Sequence, residues 1–299
     1  MIEIIGDPHL GRRFENGVAL HRRGDREASV WRTFEEALEA ECDMSVCVGD
    51  IFDKPFVPLP VILKASRAYK SIAARRPNTE FIVIRGNHDA SKDRLIVSAY
   101  EVFSDLMENV KNVHVLGDEP LALAGYLFLP FHPFKSAAEL VPISGSYTAC
   151  WGHYDVIDFQ NGNPNLIPLE KLKAITPVVY TGHDHNKREI FDGFVHVTGS
   201  MQPYSHAEDA EGKLYVTCTL DSIPDDISGK CLRLLLRPGE VPPPDLDCLQ
   251  LTIKRVGDDE EPVPVQLDTF DLKNIFDDTM TESGVGPDLR SNLWERMKQ

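Results

Sequence analysis

Glu80-Phe81-Ile82-Val83-Ile84-Arg85-Gly86-Asn87-His88-Asp89 is the stretch that decides the fold of this chain. It opens as a β-rich apolar run. It then stops at a glycine followed by side chains that can bind metal or move protons. The same arrangement recurs along the chain. The run 2–5 leads into Gly6-Asp7-Pro8-His9, and 44–48 into Gly49-Asp50-Ile51-Phe52-Asp53. Residues 147–151 lead into Gly152-His153, and 178–181 into Gly182-His183-Asp184-His185. Helical spacing fills the early gaps at 27–41, with Trp31, Phe34, Leu38 and Cys42 on one side, and at 59–74 and 95–107. Short strands are expected at 113–116, 121–124, 126–131, 194–198 and 214–220. This alternation predicts an α/β (α+β) fold with sheets in the core and helices outside. Ligands in such sheets gather beyond the carboxyl ends of the strands, so residues far apart in sequence are expected to converge.

The residue types at those strand ends have a shared chemistry. Imidazole and carboxylate together suit Mn, Fe or Zn better than Mg or Ca alone. A carboxylate can bridge two cations, a neutral Asn carbonyl can complete a shell, and the adjacent glycines allow sharp turns and close approach. A lone Asp-x-His arises by chance, and Gly-Asn-His alone is a modest signal. Any one His is more often structural than a ligand. Five such motifs in order, each after an apolar run, form a strong signal. His153 is the preferred residue in its region, with His114, His132 and His196 as competitors and His132, in Pro130-Phe131-His132-Pro133, the nearest.

The bulk properties narrow the class. The chain has 299 residues, 42% hydrophobic, enough for a sizeable core. No run is long and apolar enough for a membrane span, and the N-terminus has no signal-peptide pattern. Six cysteines at irregular spacings, several inside apolar runs, read as buried thiols in a reducing cytoplasm. The net charge of −16 argues against a protein that coats nucleic acid by charge alone. The excess is uneven: residues 241–299 hold 13 acidic and 6 basic side chains. Basic residues flank the motifs instead. Arg12, Arg13, Arg22, Arg23 and Arg26 follow the first, Arg85, Lys92 and Arg94 surround the third, and Lys187-Arg188 follow the last. They are read as contacts to a phosphate backbone. Three regions are expected: a catalytic domain at 1–220, a small β-rich region at 221–256, and an acidic linker with two amphipathic segments at 257–299.

The motif set resembles the calcineurin-like metallophosphoesterases. Asp7-Pro8-His9-Leu10-Gly11, Gly49-Asp50-Ile51-Phe52-Asp53, Gly86-Asn87-His88-Asp89 and Gly199-Ser200-Met201-Gln202-Pro203 resemble the Mre11/SbcD nuclease branch, in the short form found in tailed phages. The resemblance covers about residues 1–210. It implies a two-sheet sandwich flanked by helices, with a reduced capping region. It implies one divalent cation, most often Mn2+ with Mg2+, Fe2+ or Zn2+ as alternatives, on Asp7, His9, Asp50 and His185. A second would sit on Asp50, Asn87, His153 and His183. His88 would face the phosphate and protonate the leaving oxygen, and Asp53 would orient His88 through its carboxylate. Tyr204 and His206 are further candidates for nucleotide contact. The partners implied are DNA, a Rad50/SbcC-like ATPase bound through the C-terminal segment, and a second copy in a homodimer; the alternative for that segment is docking back on its own core.

The expected activity is therefore a DNA exonuclease or endonuclease of the kind that processes double-strand breaks or recombination intermediates. A phosphatase or a cyclic-nucleotide phosphodiesterase could use the same fold and metals. A binding scaffold with a dead site is the reading from another class. It is disfavoured because every ligand position holds a competent residue.

Overall fold

The computed structural model describes residues 1–93, 95–158 and 162–257. Four strands, β1 (Ile2–Ile5), β2 (Met44–Cys47), β3 (Glu80–Val83) and β4 (Val113–Val115), form a fully parallel sheet in that order. The crossovers carry α1 (Asp25–Leu38), α2 (Leu59–Arg75) and α3 (Ala99–Met107). A second sheet holds β5 (Leu121–Leu123), β6 (Tyr126–Phe128), β7 (Ala149–His153), β8 (Val179–Gly182), β9 (Arg188–Ile190) and β10 (Val195–Val197). Its order is β5-β6-β7-β8-β10-β9, parallel through the middle and antiparallel at both edges. Two short helices, α4 (Ala137–Leu140) and α5 (Leu169–Lys173), accompany this sheet.

The period-2 alternation of strand side chains builds the layers. Met44, Val46 and Val48 of the β2 segment join Ile82, Ile84, Phe128 and Trp151 in one cluster between the sheets. Cys47, Phe81 and Val83 face the other way, into a cluster with Phe34, Tyr69 and Phe103 from the helices. Cys150, Val179, Val195 and Val197 take the outer face of the second sheet, against Leu140 and Leu172. The product is the expected sandwich flanked by helices. Across the second sheet runs a ladder of stacked rings. Phe128 lies 6.4 Å from Trp151, Trp151 4.3 Å from Tyr180, and Tyr180 5.0 Å from His196, centroid to centroid.

Two helices differ from expectation. On α1 the buried stripe is Arg26, Val30, Phe34 and Leu38, spaced by four, while Trp31 and Cys42 are only half-buried. Helix α3 starts at Ala99 rather than at residue 95. A capping box ends it there: Ser98 accepts the Glu101 N–H, and the Glu101 carboxylate accepts the Ser98 N–H at 2.6 Å. Leu95, Ile96 and Val97 are left exposed outside it.

Beyond the sandwich, β11 (Tyr215–Thr219), β12 (Cys231–Leu236) and β13 (Gln250–Arg255) form a third, parallel sheet. Its first strand precedes residue 220 and the other two follow it. It is tied back to the first loop by Leu251 N–H donating to Gly17 at 2.8 Å and Gln250 to Asn16 at 2.8 Å. The expected segment 257–299 lies, apart from Gly257, outside the described residues. All six cysteines are thiols without disulfides. Among the described residues no helix is long and apolar enough to cross a membrane.

Candidate metal centre

The strand ends of both sheets meet at one end of the seam between them. Asp7 and His9 follow β1, Asp50 follows β2, and Asn87 and His88 follow β3. From the second sheet come His153, the last residue of β7, and His183 and His185, just past β8. The loops after β1 and β2 stay paired beyond their strands, with His9 N–H donating to Asp50 at 2.9 Å and Leu10 N–H to Ile51 at 2.8 Å. The backbone at this end is strained. His9, Asp50 and His183 have φ of 46°, 48° and 78°, in the left-handed region. Such residues cost about 1–3 kcal/mol each and cluster at functional sites. Glycine is obligatory beside them. A Cβ on Gly49, itself at φ 121°, would sit 2.2 Å from His153 Nδ1, and one on Gly86 would sit 2.1 Å from Asp50 Oδ1.

Three clusters of ligand atoms result: Asp7, His9 and His185; His9, Asp50 and His88; and Asp50, His153 and His183. Shared members join them into one. Tautomers follow from the outer partners, because a carbonyl or carboxylate can only accept. His153 Nδ1–H donates to the Val48 carbonyl at 3.0 Å. His183 Nε2–H donates to Asp155 at 2.7 Å, and His185 Nδ1 lies 3.1 Å from Glu208. In the neutral form of each ring the inner nitrogen is then a lone pair. His153 Nε2 faces Asn87 Oδ1 at 2.8 Å and Asp50 Oδ2 at 3.4 Å. His183 Nδ1 faces the same Asn87 oxygen at 2.8 Å. His185 Nε2 faces His9 Nε2 at 3.0 Å and Asp7 Oδ2 at 3.7 Å. The neutral His153 and His183 rings thus both turn a lone pair on the Asn87 Oδ1 acceptor, and the buried Asp7 Oδ1 has no hydrogen-bond partner. A divalent cation resolves that arrangement, so the donor set fits a metal site.

The electrostatics agree. Burial and the neighbouring Asp50 charge push the Asp7 carboxyl well above its usual range. Burial also works against ionised Asp50, but His153 and His9 outweigh it and hold that carboxyl low. Burial lowers His9 to about 3 against the opposing pull of Asp50, so its ring is neutral and able to ligate.

His88 is the exposed member, its ring edge-on to His9 at 4.9 Å. The expectation placed the Asp53 carboxylate on His88. Instead the Asp53 backbone carbonyl accepts His88 Nδ1–H at 2.7 Å. The Asp53 carboxylate lies 3.9 Å from His9 Nδ1 and 3.8 Å from Arg12. The tight loop after β2 turns the carbonyl outward and the side chain back under Arg12. His132, the rival to His153, is elsewhere, 3.7 Å from Asp118.

The expected basic rim divides. Arg85 is 6% exposed and bonds the Phe131 carbonyl at 2.9 Å and Asp118 at 2.7 Å, so it braces the core. Arg22 bonds the Ser228 carbonyl and pairs with Asp25 and Asp247, which ties the third sheet down. Arg26 is buried on Gln202 and Pro203, 4.7 Å over the Phe14 ring. Arg188 pairs with Asp184 at 2.6 Å. Tyr204, expected near a nucleotide, is buried with its hydroxyl on the Pro8 carbonyl and its ring 5.3 Å from His9. His206 lies 5.0 Å from the Tyr215 ring. Arg12, Arg13, Arg23, Lys92 and Lys187 remain at least partly exposed. Arg94 lies outside the described residues.

Three carboxylates at the centre had no assigned role in the sequence reading. Asp89, fully buried, accepts from the Gly86, Phe52 and Ile51 N–H groups and staples two ligand loops together. Asp155 backs His183, and Glu208 backs His185. Asp89 ends a motif already singled out. The other two carry no local pattern.

Comparison with known proteins adds the family. No curated protein matches the chain. Among solved structures, the Pseudomonas putida nuclease MPE is similar at 15% identity and a TM-score of 0.33, over 68% of this chain and 76% of that one. A family profile described as calcineurin-like phosphoesterase matches residues 2–216, which include every ligand-type residue of the centre. The chain belongs to the calcineurin-like phosphoesterase family and is a metal-dependent hydrolase of phosphate esters.

Proposed function

We propose that the chain is a DNA nuclease of the Mre11/SbcD branch, a dinuclear phosphodiesterase that most often works with Mn2+. The observation that carries this reading is His88, exposed above the acceptor-lined centre with its tautomer set by the Asp53 carbonyl. One cation would be held by Asp7, His9, Asp50 and His185, and the other by Asp50, Asn87, His153 and His183. When bound, the two cations supply Lewis acidity that makes a water nucleophilic and offsets charge on the phosphate. The chain does the rest. Asp50 accepts the His88 backbone N–H on one oxygen at 2.8 Å and turns the other toward His9 and His153. His88 is placed to pass a proton from Nε2 to the leaving oxygen while its Nδ1–H is held on the Asp53 carbonyl. Arg12, half-exposed beside Asp53, and the exposed Lys92 and Lys187, which follow ligand motifs in the chain, are the residues we assign to the flanking phosphates.

The test is hydrolysis of end-labelled linear duplex DNA in Mn2+, run beside a small aryl phosphodiester. Cleavage of DNA that disappears in His88→Ala supports the reading. No DNA cleavage with brisk turnover of the small ester would replace it with a small-molecule phosphodiesterase. One observation favours that second reading. Arg22, Arg26, Arg85 and Arg188 are engaged within the fold, which leaves a thin basic rim on a chain of net charge −16. We further assign residues 257–299 to binding a Rad50/SbcC-like ATPase, and homodimerisation to the nuclease domain. Co-elution with that ATPase, lost on truncation at 257, and the mass of the chain in solution test these two proposals.

A further inference from the structure

Resting on that dinuclear reading, we propose that Asp155 and Glu208 are positioning residues, each setting the metal affinity of one half of the centre. The two halves are handled alike. Each has one imidazole from the His183-Asp184-His185 turn, and each of these rings carries a carboxylate on its outer nitrogen. The nitrogens used are opposite. His183 turns Nδ1 inward and gives Nε2–H to Asp155, whereas His185 turns Nε2 inward and gives Nδ1–H to Glu208. Two rings only two residues apart can thereby reach separate positions. Left without partners, either ring could flip and present the protonated nitrogen to the cation.

Both carboxylates are themselves aimed. Asp155 accepts from Asn165 Nδ2 at 3.3 Å, and its backbone pairs with the 165–167 segment. Glu208 accepts the Tyr204 N–H at 2.8 Å and the Ser205 hydroxyl at 2.9 Å. A carboxylate on the outer nitrogen fixes the tautomer and makes the inner nitrogen a stronger donor. Since the two carboxylates come from separate loops and touch separate rings, their effects are separable.

The experiment is Mn2+ titration of the metal-stripped full chain by calorimetry, with free Mn2+ followed by electron paramagnetic resonance. Wild type takes up two ions. Asp155→Asn weakens one binding step by about 10–100-fold, Glu208→Gln weakens the other by a similar factor, and the double variant weakens both. Asn165→Ala and Ser205→Ala are milder and weaken the corresponding steps about two- to fivefold, so the test survives misfolding of a carboxylate variant. Two-ion uptake unchanged within twofold in all these variants, or both steps weakened equally by each, overturns the positioning roles and leaves the dinuclear reading standing. A wild-type chain that takes up no Mn2+ overturns the dinuclear reading itself.

Discussion

The centre and its basic rim are built from opposite materials. Every ligand-type residue of the centre stands at a strand end, several on backbone that only the finished fold can hold, with glycines where no Cβ fits. The rim residues stand on mixed supports, Arg26 on α1, Arg188 on β9 and most others on loops, and about half are turned inward to brace other parts of the chain. A ligand is placed by strand, turn and steric fit together. An arginine is placed by whatever acceptor it reaches first, and its long stem reaches many. Position in a strand–turn context therefore carries functional information that charge alone lacks.

Substitutions can break or sharpen that contrast. The largest effect is expected at His88, the one exposed imidazole of the centre. His88→Ala should lower kcat about 10²–10⁴-fold while Mn2+ uptake, read by calorimetry, stays as in wild type. Next is Gly49→Ala, where the added carbon meets His153 and the backbone is left-handed. Urea unfolding should register a loss of about 2–4 kcal/mol. A stability equal to wild type would mean that the centre is less tightly fitted than its neighbours in the fold imply. Arg85 and Arg12 should then part company. Arg85→Met should cost about 1–3 kcal/mol of stability and leave the salt dependence of DNA binding unchanged. Arg12→Ala should do the reverse, reducing the slope of log K against log salt by about 1.

The smallest effect concerns pH in the metal-free protein. Burial works against charge on both Asp155 and His183, but their mutual hydrogen bond wins. It lowers Asp155 to about 2 and raises His183 above its usual value. The depressed carboxyl contributes stability above its unfolded value near 3.8, lost as pH falls through about 2. The raised imidazole contributes below its unfolded value near 6.5, lost as pH rises past its folded one. The stability gap between wild type and Asp155→Asn should therefore be widest between those two unfolded values. A gap that widens steadily toward pH 9 would contradict the pairing.

Much of this was legible in the sequence, because strands announce themselves by local apolar runs and the ligands follow directly. Asp7, Asp50, Asn87, His153 and His183 needed only that grammar to be placed at one end of the sheets, and His9 and His185 joined the set through the family resemblance. What escaped depended on distance. Glu208 reaches His185 through a loop with no pattern of its own, and Asp155 is recognisable only once His183 is beside it. The start of α3 was misjudged because Leu95, Ile96 and Val97 carry apolar spacing into a loop that the Ser98 cap cuts off. The atom on His88 was misjudged because backbone carbonyls leave no trace in residue types.

The ring ladder across the second sheet has a consequence for accuracy at the far end of β7. Trp151 and His153 lie two residues apart and so share a face of the strand. Sliding β7 by a single residue would turn the indole away from Tyr180 and swing His153 off the seam in the same movement. The stacked rings thus act as a gauge of alignment. They make a mis-threaded strand costly in the hydrophobic interior, long before chemistry at the rim could reveal the fault.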